Sequence, residues 1–217
     1  MFSPSVQLDI ADGIFAPVTS WPYQAGQLTE FQSAIAHGVK LPLAEHVLYE
    51  VHLMVSDVRE VGLHLSRAGA TRLLPHVEVF ENVESAREVF KEWKDAGVRE
   101  TGLSILLDTP LNALDPFIAD CDVVQLVSIA KIGAQGQPFD ERALTRVEEL
   151  HARYPDLMVA VDGGVSEANI ESLVRAGANR LCVGSAISKS ENPALSFAHI
   201  HERAMMGCAP ASLQTTD

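Results

Sequence analysis

VAVDGGVSEANIESLVRAGANRLCVGSAI, residues 159–187, decides the reading of the fold. It reads as a buried strand ending in Asp162, a Gly163-Gly164 turn, a helix, and a second strand ending in Gly184-Ser185. Two glycine turns at the ends of neighbouring parallel strands leave backbone N–H groups free. Such a pair can hold a phosphate dianion, helped by positive helix N-termini. In a (β/α)8 barrel, of the TIM type, the loops after strands seven and eight often carry that site. Asp162 then stands at the mouth, and a sugar phosphate held there faces a carboxylate.

Composition narrows the class. Of 217 residues, 47% are hydrophobic and 21% charged, as in an ordinary soluble globular protein. Acidic residues outnumber basic ones, 29 to 16, for a formal charge of −13. That balance argues against nucleic acid or an anionic membrane as partner, but not against a small anion held by backbone N–H groups. Cys121, Cys182 and Cys208 lie far apart, with neither metal-ligand spacing nor a disulfide framework. Two of them fall in apolar strand-like runs and read as core. No apolar run reaches membrane-spanning length, and the N-terminus has no basic region before an apolar one. The expectation is a cytoplasmic protein.

The rest of the chain repeats the same unit. Strands are predicted over 5–10, 47–54, 72–77, 101–106, 123–129, 157–161 and 180–183. Helices are predicted over 27–37, 58–68, 83–96, 111–118, 141–153, 167–176 and about 194–205. Glycine closes several of the helices. Alternating strands and helices imply a parallel sheet with helices outside, hence an α/β fold. RAGATRLL, DAGVRETG and RAGANRLC (67–74, 95–102 and 175–182) recur as one βα unit. About seven of the eight βα units of a barrel are present. Residues 1–206 read as a single domain, and 207–217 as a disordered tail.

Four polar residues at predicted strand ends could do chemistry. Asp9 ends the first strand and His52 lies at the end of the second. Together with Asp162 they could occupy one rim, where barrel catalysts sit. Imidazole plus carboxylates suits a divalent metal such as zinc, iron or manganese. His76, in PHVE, ends the third strand and is weighed on the same rim argument. The plain alternatives are a satisfied core histidine for His52 and a turn or cap for the aspartates. Asp12, followed by Gly13, fits the turn reading better than Asp9 does. The loop 132–139, IGAQGQPF, could fold over a substrate as a lid or be a simple connection. Lys131 is the one lysine near a strand end, but it lies in the loop, which disfavours Schiff-base chemistry.

Together these pieces resemble the ribulose-phosphate 3-epimerase family of (β/α)8 barrels, from about Val6 to Pro193. The matching stretches are LDIADGIFAP (8–17), EVHLMV (50–55), PHVE (75–78), DTPLNAL (108–114), GQPF (136–139), VDGGV (161–165) and VGSAI (183–187). The resemblance implies an isomerase that interconverts ketose phosphates differing at C3. Asp9 and Asp162 are then the paired acid and base on opposite faces of the sugar. Asp9, His52 and Asp162 hold a divalent metal. His52 and Met54 face the substrate, Gly163, Gly164, Gly184 and Ser185 hold the phosphate, and Gly136 and Gln137 belong to the lid.

There are departures from the family pattern. Gln7 stands where the family has a metal-binding histidine, and a glutamine carbonyl is a poor exchange for imidazole. Ala11 and Val127 replace methionines that cap the intermediate, leaving Met54. The lid lacks its Asn-Pro-Gly start. The family's first strand and helix have no counterpart. An open barrel exposes two strand edges, so the expectation is a gene start upstream of Met1 or, failing that, dimerisation across the gap. The competing reading is a sugar-phosphate-binding protein without turnover, its metal site degenerate.

Overall fold

The computed structural model describes residues 5–133 and 136–208. Its elements are α/β of the TIM type, with strands following one another in chain order. They are β1 (Ser5–Ala11), α1 (Gln27–Ala36), β2 (Leu48–Met54), α2 (Val58–Ala68), β3 (Ala70–Pro75), α3 (Val83–Asp95), β4 (Glu100–Ile105), β5 (Val123–Val127), α4 (Arg142–Arg153), β6 (Met158–Asp162), α5 (Ile170–Arg175), β7 (Arg180–Cys182), α6 (Ser185–Ser188) and α7 (Pro193–Cys208). Among the described residues there are seven strands, the number expected. No helix among them is long and apolar enough to cross a membrane.

The residues group into two compact units. The first takes in 5–125 with 132–133, the second 126–131 with 136–208. In the first, β1, β2, β3 and β4 pair as parallel neighbours. The register sets Asp9 beside His52, Gln7 beside Glu50, and Glu50 beside Arg72. Side chains alternate along a strand, so Glu50, His52 and Met54 share one face of β2; all three are buried. Asp57 caps α2 by accepting the Arg59 N–H, and Gly69 ends the helix at φ 101°. Asn82 caps α3 by accepting the Ser85 N–H. The apolar stripe of α3, Ala86, Val89, Phe90 and Trp93, is buried at helical spacing. Trp93 lies so close to α2 that a Cβ on Gly62 would collide with its ring.

In the second unit β6 and β7 are parallel, with Asp162 paired to Cys182. Ala143, Val147 and Leu150 form the buried side of α4, and Ile170 and Leu173 that of α5.

Several boundaries differ from expectation. The third strand stops at Pro75, which has no N–H to extend the ladder. His76 instead precedes a 3-10 turn, Val77–Val79. The helix expected over 111–118 is two 3-10 turns, Leu111–Leu114 and Ile118–Asp120, interrupted at Pro116. Helix α5 starts three residues later than expected. The Asn169 side chain accepts from the Ser166 N–H and donates to the Gly164 carbonyl, which keeps the preceding residues in a turn. The short α6 has no counterpart in the predicted helices. Cys121 and Cys182 are half-buried rather than core residues, and Cys208 is exposed at the end of α7. The tail expected from Gly207 otherwise lies outside the described residues, as do 134–135 in the loop read as a lid.

Candidate functional site

In the first unit the polar residues gather at the carboxyl ends of β1 and β2. Asp9 and His52 are direct register partners. His52 Nδ1 stands 3.6 Å from Asp9 Oδ1. The Gln7 side-chain amide donates to the same Asp9 oxygen at 2.9 Å. Burial alone would raise the Asp9 carboxyl, but the adjoining His52 and the Gln7 amide hold it below the usual carboxylate value. Gln7, entertained as a weak ligand, thus presents an N–H to Asp9.

Behind His52 lies a buried chain of polar groups. His52 is 1% exposed and His76 0%. The two rings meet edge to edge, Nε2 to Nε2 at 2.8 Å. His76 Nδ1 is 3.1 Å from Glu78 Oε2. The other Glu78 oxygen accepts the Leu106 N–H at 3.0 Å and the Thr109 hydroxyl at 2.5 Å. Burial would raise the Glu78 carboxyl, yet His76, Thr109 and Leu106 together hold it below its ordinary value. Phe15 packs its ring on His76, centroids 4.5 Å apart.

Asp12 matches the turn reading. Its carboxylate accepts the N–H groups of Ile14 and Phe15 at 2.8 and 2.9 Å. It also accepts the Ser56 N–H and hydroxyl, each at 2.7 Å. Asp12 therefore pins the loop after β1 to the turn after β2. Met54 is buried with Ala11 and Ala16, against Phe15, Val18 and Ile132.

In the second unit Asp162 ends β6, half-buried. The loop after it needs glycine. Gly163 and Gly164 have φ of 114° and 64°. A Cβ on Gly163 would come within 2.8 Å of Ile129, and one on Gly164 within 2.6 Å of the Phe139 nitrogen. Ser128, following β5, donates its N–H to the Asp162 carbonyl at 2.8 Å. Its hydroxyl lies between the Asp162 and Gly163 carbonyls. A cleft of about 560 Å³ opens here, lined among others by Gly136, Gln137, Gly164, Ser185 and Lys189. Four of the residues expected to hold substrate therefore share one concavity. Gly163 and Gly184 adjoin it in the chain without lining it. Lys189 was not anticipated. The available signal was a lone basic residue four positions after Ser185. Its ammonium lies near the Gly136 backbone, since a Cβ there would be 3.3 Å from Nζ.

The donor chemistry of Asp9 and His52 fits a divalent metal. A carboxylate oxygen and an imidazole nitrogen, mutually oriented but too far apart for a good hydrogen bond, are borderline-hard ligands of the kind zinc, iron and manganese take. Asp162 offers a further carboxylate of the same type.

Comparison with known proteins adds the following. The profile described as "Ribulose-phosphate 3 epimerase family" matches residues 5–188. The ribulose-phosphate 3-epimerase of Schizosaccharomyces pombe is 32% identical over 149 residues, 69% of this chain and 63% of that one. The chain thus spans less than two thirds of that relative's length. The cytoplasmic isoform of ribulose-phosphate 3-epimerase from Oryza sativa subsp. japonica is 30% identical over 192 residues, 87% of this chain and 77% of that one. Among solved structures, 3-hexulose-6-phosphate synthase from Salmonella typhimurium superposes with a TM-score of 0.62 at 16% identity, covering 93% of this chain and 98% of its own. At that identity the likeness concerns the fold.

Proposed function

The chain belongs to the ribulose-phosphate 3-epimerase family, and from that premise we propose that it epimerises a ketose phosphate at C3 by proton transfer. The observation that carries the reading is Asp9, held ionised at a strand end with His52 Nδ1 at 3.6 Å. In this reading Asp9 and Asp162 handle the C3 proton. One carboxylate removes it, and the other returns a proton to the opposite face of the planar intermediate. A carboxylate kept ionised by its neighbours is ready to act as the base. Asp9, His52 and Asp162 would hold a divalent cation such as zinc, iron or manganese, which supplies positive charge next to the oxygen where negative charge develops. Gly163, Gly164, Gly184 and Ser185 serve the phosphate through backbone and hydroxyl donors, and Gly136 and Gln137 close the same cleft. His52 also faces the sugar. Met54 adds an apolar wall, with its thioether inside the Phe15 cluster.

Lys189 extends the family reading. An ammonium on the cleft wall favours a dianionic phosphate over a neutral sugar. The reading predicts conversion of ribulose 5-phosphate to its C3 epimer, lost on chelation and restored by zinc or manganese. Lys189→Ala should raise KM several-fold with little change in kcat. NMR of the product mixture and initial rates check both. Absence of the epimer at any metal loading would overturn the reading.

One observation favours a second reading, sugar-phosphate binding without turnover. Gln7 donates to Asp9 and so uses an oxygen lone pair otherwise open to a metal. Under that reading isothermal titration finds ribulose 5-phosphate bound at the cleft, while C3 never exchanges its proton.

A further inference from the structure

We propose that Glu78 is a positioning residue: acting through His76, it fixes the tautomer of His52 so that Nδ1 presents a lone pair beside Asp9. The argument follows the protons along the buried chain. Glu78 is an acceptor, with one oxygen taken by the Leu106 N–H and the Thr109 hydroxyl. Its second oxygen lies 3.1 Å from His76 Nδ1, so that nitrogen carries the proton. A neutral imidazole has one N–H. His76 Nε2 is therefore an acceptor, and at 2.8 Å the donor is His52 Nε2–H. The proton of His52 is then used on its inner nitrogen, and Nδ1 is left as a lone pair.

The outer side agrees independently. His52 Nδ1 and Asp9 Oδ1 are 3.6 Å apart, beyond the roughly 2.7–3.2 Å of an N–H···O bond. In the tautomer that the inner chain sets, Nδ1 and the Asp9 oxygen are two electron-rich atoms facing each other, a ligand pair for a cation. The alternative is a doubly protonated His76, which would donate to His52 Nε2 and push the His52 proton onto Nδ1. That would bring Nδ1–H to a carboxylate and shorten the contact to Asp9. The fold builds the device locally. Pro75 ends β3, so His76 turns into a 3-10 segment that carries Glu78 around behind it. Phe15 closes the fully buried His76 from one side. Metal-bound histidines commonly have their second nitrogen fixed in this way, and loss of such a partner weakens metal affinity.

The inference rests on the metal reading above, but its first test does not. Nitrogen-15 NMR of the metal-free protein, labelled at histidine, reads the tautomers directly. Both His52 and His76 should be singly protonated, His52 on Nε2 and His76 on Nδ1. A His52 protonated on Nδ1 would overturn the proposal whatever the protein binds. Glu78→Leu should lose the fixed tautomer and weaken zinc binding about 10–100-fold, with far-UV circular dichroism unchanged. Glu78→Gln, which keeps an acceptor oxygen for His76, should restore most of both. Unchanged zinc affinity in a folded Glu78→Leu protein would also overturn it. An Nε2-protonated His52 in a wild-type protein that binds no zinc would uphold the tautomer and count against the metal reading.

Discussion

Asp12 shows how one side chain can serve folding beside residues that serve chemistry. It accepts four hydrogen bonds, and they join two loops of the first unit. Burial would raise its carboxyl, but Ser56, Phe15 and Ile14 hold it below the ordinary value. Asp12→Ala should therefore lower stability by about 1.5–3 kcal/mol, the usual range for hydrogen bonds to a charged group. The sign of the pH dependence follows. A depressed folded-state pKa gives stability that is fully present above the unfolded value of about 3.9 and is lost as pH falls through the folded one. The gap between wild type and Asp12→Ala should thus narrow as acid is added below that value. Urea denaturation from neutral pH downward checks it, and a constant gap would contradict the assignment. At the same scale, the sequence distinguished Asp9 from Asp12 correctly in one respect: Asp-Gly marks a turn, and Asp12 makes one. It did not find the partnership of His52, His76 and Glu78. PHVE displays the His-x-Glu spacing, but nothing in it says that His76 turns its Nε2 back to another strand. That contact depends on the β2–β3 register and on where Pro75 ends the ladder.

Among the elements, β2, β3 and β4 are joined by an ion triad two residues before His52 along β2. Arg72 reaches both Glu50 and Glu100. Register places the three residues on one rung. Arg72 and Glu50 are nearly inaccessible, at 6% and 3% exposed. Taking the cation away leaves a buried carboxylate without its guanidinium. Arg72→Met should cost about 3–5 kcal/mol, and adding Glu50→Leu should recover most of that loss. Guanidinium denaturation of the two variants decides it. A single variant as stable as wild type would mean that the triad is dispensable. Element existence was largely legible, because parallel strands read as short apolar runs and glycine marks the helix ends. Gly69 is an example. Element ends were less so. Asn169 delays α5 through side-chain bonds to Ser166 and Gly164 that no local propensity reveals. Pro116 splits a helix whose apolar spacing otherwise looks sound.

For the whole molecule, the chain's net charge of −13 sets a constraint on any phosphate ligand. The long-range field opposes an anion, so binding must come from local donors. The cleft beside Gly164, Ser185 and Lys189 offers such donors in the second unit. Asp9 and His52 lie in the first unit and Asp162 in the second. The family was legible because its motifs occur in order across most of the chain, and the matched span, 5–188, takes in every strand among the described residues. Lys189 was not, because a single lysine in SAISKS has no periodicity and gains meaning only from the cleft it lines. The central claim is that Asp9 and Asp162 exchange the C3 proton of a ketose phosphate. It is tested most directly by incubating zinc- or manganese-loaded protein with ribulose 5-phosphate in D2O and following deuterium at C3 by NMR. The account predicts deuterium at C3 with wild type and a fall of about 100-fold or more in Asp9→Asn and in Asp162→Asn. No incorporation by the metal-loaded wild type, or undiminished incorporation by both variants, would contradict it.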